Sequence, residues 1–453
     1  NMFEKIDAFI DLKKDEMIEA LKDFINIPSL KSEPEGSMPY GKKVYEALNF
    51  IGKKAEEKGF ETENFENKII SASLGCGEDK LGILCHTDVV CVNKEKWDTD
   101  PFDAVVKDNL IFGRGALDNK GPTIASLYAL YAIKECGIKL NNKVKLFFGS
   151  DEENGMHDFK DYIKTNSLPE YGFAPDCCFP VGYSETGKFD ICGEIKYESE
   201  NIKSVSAGGA FLNVIPETAT AEIKNHTSEE VEDKISKIKD VKYKTENLSD
   251  SVKLTVYGKS THSAHPHWGI NPLTALLEVL SSIEGKDSIF GKISKLFPHG
   301  MFFAENFGLN QEKAVLSLLA FEYKSGIVSF SANCRVNAKE NSLKISEQII
   351  KGFTVPAKIS NLSEPHYVSE ESFIVKELCK VYKEFTGRED APYAADGATY
   401  AHIKDSYVAF GGVLYGDGSE EAHGNNECYN TDTLIAAAKM IARAVISICE
   451  GEN

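Results

Sequence analysis

The residues Asp151-Glu152-Glu153 stand together at the end of the apolar run Val144-Lys145-Leu146-Phe147-Phe148-Gly149, with Gly155 just beyond. Three adjacent carboxylates repel one another unless something cationic holds them. A short apolar run between polar flanks reads as a buried strand. In an α/β sheet, ligands sit just past the carboxyl ends of strands. Glu152 and Glu153 are therefore placed for a cation. Five ligand-type residues, His86, Asp118, Glu153, Asp176 and His423, fall at expected strand ends or helix starts. Imidazole with carboxylate is a donor set that Zn²⁺, Mn²⁺ or Co²⁺ accepts without thiolate. Five ligands exceed what one catalytic zinc with an open position needs, so two ions sharing a carboxylate fit better. Ions held about 3.5–4 Å apart clamp a water and a carbonyl together. Taken singly, a His or Asp at a strand end is more often a cap or core residue; the reading rests on the set.

The elements that must position these residues follow from periodicity. Phe3 to Ile25 carries apolar residues at helical spacing, as does Val44 to Lys58,. Ile69–Leu74 and Leu81–Cys85 read as strands, and the second runs straight into His86-Thr87-Asp88. Asn109–Gly115 is a short strand and turn. A helix from Pro122 to Cys136 starts after Asp118-Asn119-Lys120-Gly121, with proline in its first turn. This alternation is the α/β signature. From Lys188 the texture changes. Strands are expected at 188–197, 202–206, 219–223, 252–257 and 326–336, with helices at 229–239, 272–283 and 344–352. Near Pro365 the α/β texture returns, with a helix at 373–385, a strand at 407–411 and a closing helix at 431–449. The expectation is an α/β catalytic domain, a mixed sheet flanked by helices. It is split into residues 2–187 and 365–453 around an inserted α+β lid, 188–364. Two parts of the lid, before and after Phe297, loosely repeat a strand set followed by an amphipathic helix.

With 453 residues the chain is long enough for two or three domains,. The net charge of −19 argues against nucleic acid and anionic membrane as partners,. No apolar run approaches the roughly 20 residues needed to span a bilayer. The amphipathic, acidic, lysine-bearing start does not read as a secretory signal; Asn1, ahead of Met2, is left aside. The eleven cysteines are scattered without a CxxC pair, which fits reduced thiols in a cytoplasmic protein,.

Four blocks carry a resemblance. They are Leu84-Cys85-His86-Thr87-Asp88-Val89-Val90, Gly113-Arg114-Gly115-Ala116-Leu117-Asp118-Asn119-Lys120-Gly121, Gly149-Ser150-Asp151-Glu152-Glu153-Asn154-Gly155 and Ala422-His423-Gly424-Asn425-Asn426-Glu427. In this order they resemble the signature blocks of the dinuclear zinc metallopeptidases, the family of aminoacylases, carnosinases, desuccinylases and bacterial dipeptidases. Trp97-Asp98-Thr99-Asp100-Pro101-Phe102, Tyr171 to Asp176 and Glu364 to Val368 are similar to the dipeptidase V branch.

The resemblance implies roles. Asp118 would bridge two divalent ions, zinc by first choice and manganese or cobalt as alternatives. His86 and Asp176 would complete one ion, Glu153 and His423 the other. Asp88 would hold the His86 ring and fix its tautomer. Glu152 would be the general base that takes a proton from a water held between the ions. In the lid, His262 of Gly258-Lys259-Ser260-Thr261-His262 would donate to the developing oxyanion. Arg335 would bind a peptide carboxylate, and Asn213 would lie near the substrate. His265 and His267 read as an adventitious metal patch rather than a further site.

The chain also departs from the family pattern. Dipeptidase V relatives carry a Gly-Gly-Gly-Thr-Tyr-Ala-Arg type of run at the substrate carboxylate, whereas here Ala395-Asp396-Gly397-Ala398-Thr399-Tyr400-Ala401-His402 stands. Asp396 would repel a carboxylate, and Ala398 would crowd a backbone approach that glycine permits. Cys85, Cys91 and Cys178 are read as packing residues. The first expectation is a metal-dependent dipeptidase acting on short peptides with a free N-terminus. It would be a monomer, because the long lid is of the kind that supplies its own oxyanion histidine; a homodimer is the other option. The alternatives are an N-acyl amino acid deacylase or carboxypeptidase of the same family, and a non-catalytic peptide- or metal-binding protein.

Overall fold

A computed structural model describes residues 1–208 and 213–450. The chain forms two compact units: Asn1–Glu185 with His366–Asn453, and Thr186–Pro365. The second is thus an insertion in the sequence of the first.

The first unit is built on a mixed sheet. Its strands are β1 (Glu61–Phe65), β2 (Ile69–Leu74), β3 (Asp79–His86), β4 (Lys143–Gly149), β5 (Tyr171–Ala174), β6 (Gly182–Glu185), β7 (His366–Tyr367), β8 (Tyr393–Ala395) and β9 (Tyr407–Ala409). Their order is β1-β2-β4-β3-β5-β9-β6-β7, with β8 also paired to β6. Strands β4, β3, β5 and β9 run parallel, while β1 and β2 extend the sheet antiparallel. The parallel strands are apolar almost throughout because both faces are covered. Residues alternate between two cores: Ile83 and Cys85 of β3, and Leu146 and Phe148 of β4, face the larger one. Leu84 and Phe147 face a smaller one with Phe159, Tyr162 and Tyr400.

The helices of this unit are α1 (Met2–Leu12), α2 (Lys14–Ile25), α3 (Lys42–Glu57), α4 (Gly121–Glu135), α5 (His157–Tyr162), α6 (Phe373–Thr386) and α7 (Thr431–Glu450). α4 is buried on nearly every side, as its unpatterned apolar sequence requires,. Gly121 opens it where any β-carbon would lie 2.3 Å from the Ala116 carbonyl and 2.4 Å from the Tyr429 ring.

The parallel register sets the site. His86, the last residue of β3, is opposite Gly149, the last of β4, and Ile83 is opposite Phe173 of β5. Residues just beyond the three strands therefore share one sheet edge.

The second unit is one antiparallel sheet of eight strands with its own core. Their order is Lys242–Asn247, Val252–Tyr257, Thr218–Ile223, Ile202–Ala207, Ala314–Lys324, Ile327–Val336, Gly187–Lys196 and Lys358–Ser363. The expected repeat has a counterpart in this order. Ile202–Ala207 with Thr218–Ile223, helix Ser228–Ile235 and edge strand Lys242–Asn247 make one half. Ala314–Lys324 with Ile327–Val336, helix Ser342–Lys351 and edge strand Lys358–Ser363 make the other. The halves meet where Val205 pairs with Tyr323. Three strands (242–247, 314–324, 358–363) and the helix Ile289–Leu296 were not anticipated, and the helix expected at 229–239 ends at Ile235. The expected α/β sheet with an inserted α+β unit is the architecture observed. No helix among the described residues is long and apolar enough to cross a membrane.

Candidate metal centre

Asp118 is the middle of the site. Its Oδ1 lies 2.9 Å from His86 Nε2 and its Oδ2 lies 3.1 Å from His423 Nε2. Asp176 Oδ2 is 3.4 Å from the same His86 nitrogen, and Glu153 Oε1 is 2.9 Å from His423 Nε2. Two groups of potential ligand atoms thus form, His86-Asp118-Asp176 and Asp118-Glu153-His423, each within 4.8 Å and sharing one carboxylate. Each has one imidazole and two carboxylates, a donor set suited to a divalent ion. His86, Glu152 and Glu153 form a third such group, so proximity alone does not separate the two glutamates. Glu152 Oε2 is 4.0 Å from His86 Nε2.

The electrostatics are those of a cation site. Burial, reinforced by Asp118, pushes the Asp176 carboxyl up to about 7,. Glu152 is driven well above the usual carboxylate range by burial, which with Glu153, Asp176 and Asp118 outweighs the charge of His86. Glu153 moves up by burial and by Asp118. Burial disfavours charge on Asp118 too, yet hydrogen bonds from His423 and His86 hold it well below its ordinary value. Both imidazoles are raised well above theirs: burial opposes this, but Asp176 and Asp118 prevail at His86, and Glu153 and Asp118 at His423.

Several residues position this set. His86 Nδ1 is 3.0 Å from the Asp88 carbonyl and 3.4 Å from its carboxylate. That carboxylate is wholly buried and accepts the Glu152 and Glu153 amides at 3.2 and 3.1 Å. It therefore fixes the turn carrying both glutamates as well as facing the ring. Asn119 accepts the His86 amide at 3.2 Å and donates to the Pro175 carbonyl at 2.8 Å and to Asp176 at 3.1 Å, joining the ends of β3 and β5. Asp151 is buried and paired with Lys31 at 2.6 Å and His157 Nδ1 at 2.7 Å. Asp158 accepts the Ser150 amide at 2.7 Å and the Tyr400 hydroxyl at 2.5 Å. Gly149 leaves room for this: a β-carbon there would lie 2.2 Å from the Tyr400 hydroxyl. Of these partners the sequence points only to Asp88, through the resemblance; the others contribute backbone atoms or are brought to the site by the fold.

A cavity of about 300 Å³ adjoins the centre, lined by Asp118, Asp176, Cys178, Tyr393, Asp396 and Val413 among others. His402 Nδ1 is bonded to buried Glu185, which also accepts the Thr399 amide at 3.0 Å. Cys85 is buried, but Cys91 is exposed, so packing does not account for Cys91. All eleven cysteines are free.

His262, Arg335 and Asn213 belong to the second unit. Val214 forms a bridge with His262, and the Ser263 amide donates to the Asn213 carbonyl at 2.8 Å. Asn333 Oδ1 accepts from Ser263 Oγ and from Arg335 Nε, both at 3.0 Å. The buried Asn333 amide thus joins Arg335 to Ser263, the residue after His262, and the Ser263 amide in turn bonds the Asn213 carbonyl. Residues 209–212 of the Asn213 segment lie outside those described. His265 lies flat on Trp268, ring centroids 3.9 Å apart.

The sequence matches the profile of peptidase family M20/M25/M40 over residues 82–447. A Staphylococcus epidermidis protein with a provisional dipeptidase name is 30% identical, over 96% of this chain and 97% of its own. Human carnosine dipeptidase 1 superposes with a TM-score of 0.63 at 16% identity, covering 100% of this chain and 99% of that one. The Saccharomyces cerevisiae dipeptidase Dug1p does so with 0.62 at 15%, covering 100% and 99%. With the profile spanning most of the chain and relatives matched end to end, the protein is a peptide hydrolase belonging to peptidase family M20/M25/M40.

Proposed function

We propose that this enzyme is a dinuclear metallo-dipeptidase that cleaves dipeptides or short peptides with a free N-terminus. The observation that carries the reading is Asp118, which offers one oxygen to each of two His-carboxylate groups. One ion, zinc by first choice, would be held by His86, Asp118 and Asp176, the other by Asp118, Glu153 and His423. Such ions, when bound, supply Lewis-acid polarisation of the scissile carbonyl and make water acidic enough to attack at neutral pH.

Glu152 is the general base in this reading. It sits on a turn held by Asp88, and its burial favours the protonated form that must later deliver a proton to the leaving amine,. Asp88 orients His86. His262 would donate to the oxyanion, Arg335 would take the peptide carboxylate through its guanidinium fork, and Asn213 would contact substrate. Residues 2–187 and 365–453 are taken as the catalytic domain and 188–364 as its lid, in a monomeric cytoplasmic enzyme. The free cysteines support the compartment,, and the two-halved lid supports the monomer.

The test is hydrolysis of a panel of unblocked and N-acylated dipeptides by the zinc-, manganese- and cobalt-loaded enzyme. Cleavage of unblocked dipeptides is expected. Activity confined to N-acyl substrates would replace this reading with a deacylase, and none at any metal loading would replace it with a binding protein.

A further inference from the structure

Two segments meet beneath the second group of ligands. Asp118 lies four residues after Arg114, and His423 lies four residues before Glu427. Arg114 and Glu427 are both buried, at 2% and 0% exposure, and Arg114 Nη1 is 3.4 Å from Glu427 Oε1. Neither belongs to a ligand group. The Gly113 amide donates to the Glu427 carbonyl at 3.0 Å, and the Arg114 amide to the Pro101 carbonyl at 2.8 Å. The guanidinium faces Trp97, 5.2 Å from its ring centre. The Asp98 amide donates to Asn426 at 2.8 Å. The segments at 97–101, 113–118 and 423–427 are therefore held as one body around a buried ion pair.

The two ligand groups differ in what supports them. His86 ends a central strand and is 1% exposed. His423 is on a loop, with its side chain 42% exposed. Glu421, His423 and Asn426 have φ of 66°, 64° and 60°, a left-handed backbone that non-glycine residues keep only when their surroundings impose it. No regular element provides that support at His423. The buried pair does not have the form of a stability device either. Arg114 Nε, Glu427 Oε2 and Trp97 Nε1 are buried without a hydrogen-bond partner, and a buried pair so incompletely matched adds little over apolar packing. Its geometric effect is the more economical account: it fixes the Asp118 turn against the His423 loop.

We propose that Arg114 and Glu427 are positioning residues for the Asp118-Glu153-His423 half of the centre, setting the affinity of that half for its ion more strongly than that of the His86 half, which shares only Asp118 with it. This rests on the two-ion reading above. The test is Zn²⁺ titration of metal-free protein by calorimetry, with elemental analysis of the desalted product. It compares wild type, Glu427→Gln and the double variant Arg114→Met/Glu427→Leu, whose two charges leave together so that no buried charge is stranded. Circular dichroism checks that each variant is folded. Wild type should take two ions. Both variants should keep one tight ion and bind the second about 10–100-fold more weakly, the scale seen for outer partners of metal ligands. Two ions at wild-type affinity in both folded variants would overturn the proposal, and so would equal weakening of both ions. A wild type that takes only one ion would instead overturn the two-ion reading, and the proposal with it.

Discussion

Replacing Asp88 by asparagine tests how the catalytic turn is held. The carboxylate gives one oxygen to the Glu152 amide at 3.2 Å and the other to the Glu153 amide at 3.1 Å, in a fully buried position. An asparagine of the same shape has one acceptor oxygen and one NH₂ group. Whichever way it turns, one of the two backbone amides meets a donor. A hydrogen bond to a charged group contributes about 1.5–3 kcal/mol, and the amide left unpaired in the interior costs a similar amount. Local opening of the turn should therefore become easier by roughly 2–3 kcal/mol, which is about 30–150-fold in an opening equilibrium.

Hydrogen exchange followed by mass spectrometry on a peptide covering residues 149–156 reads this directly. Protection of one amide in that peptide should fall by about that factor, while peptides from α4 and α7 keep theirs. Because a displacement near 1 Å can cost about 100-fold in rate, kcat should fall by about 10–100-fold. Unchanged exchange in the 149–156 peptide would refute the reasoning, for then the carboxylate is not what holds the turn.

Glu152→Gln should leave zinc content near wild type and lower kcat by about 100–10,000-fold, the range of a lost general base; surviving activity would remove Glu152 from that role. Zinc binding at pH 7 should release protons, since His86, His423 and Glu152 favour their protonated forms in the metal-free chain,. Calorimetry in buffers of different ionisation enthalpy measures this, and a heat independent of buffer would contradict it. Metal-free protein should also lose stability as pH rises from about 4 to about 7 through Asp176, whose carboxyl moves from 3.8 to about 7 on folding,. A folded carboxyl that binds its proton more tightly than the unfolded one gives stability at low pH that disappears through the folded value. Thermal melts with and without zinc check the sign: the metal-free curve should fall over that window and the difference between the curves should widen.

Much of the framework was legible because the signals are local. The strands ending at His86 and Gly149 are short, apolar and bounded by polar residues, and α4 announces itself through Pro122 and the Asp118-Asn119 pair upstream. That His86, Asp118, Glu153, Asp176 and His423 would meet could not follow from spacing; the parallel register of β3, β4 and β5 brings three of their segments to one edge. What escaped was of two kinds. Lys242–Asn247 is a polar, largely exposed edge strand whose sequence carries no alternating apolar pattern. Lys31 with Asp151, or Glu185 with His402, are partners whose separation of 120 or 217 residues leaves no trace in either neighbourhood. Asp151 illustrates the difference: the sequence shows only one of three acids at a strand end, and in the fold it is a wholly buried carboxylate in an ion pair.

The same buried acids explain why the centre calls for cations rather than merely tolerating them. Asp176, Glu153 and Glu152 are all shifted toward their neutral forms, chiefly by burial. Asp118 alone among these four is shifted toward its charged form, because each of its oxygens faces an imidazole. Without metal, the neighbouring carboxylates shift His86 and His423 toward their protonated forms. An ion ligated by either nitrogen would displace a proton there, and its own charge would favour ionisation of the carboxylates that burial shifts toward their neutral forms,. Proton loss and ion uptake would thus be coupled at this site. The acids of the 151–153 turn can share a small buried volume because Lys31 pairs with Asp151, which also hydrogen-bonds His157, while Glu152 and Glu153 lie beside the imidazoles of His86 and His423.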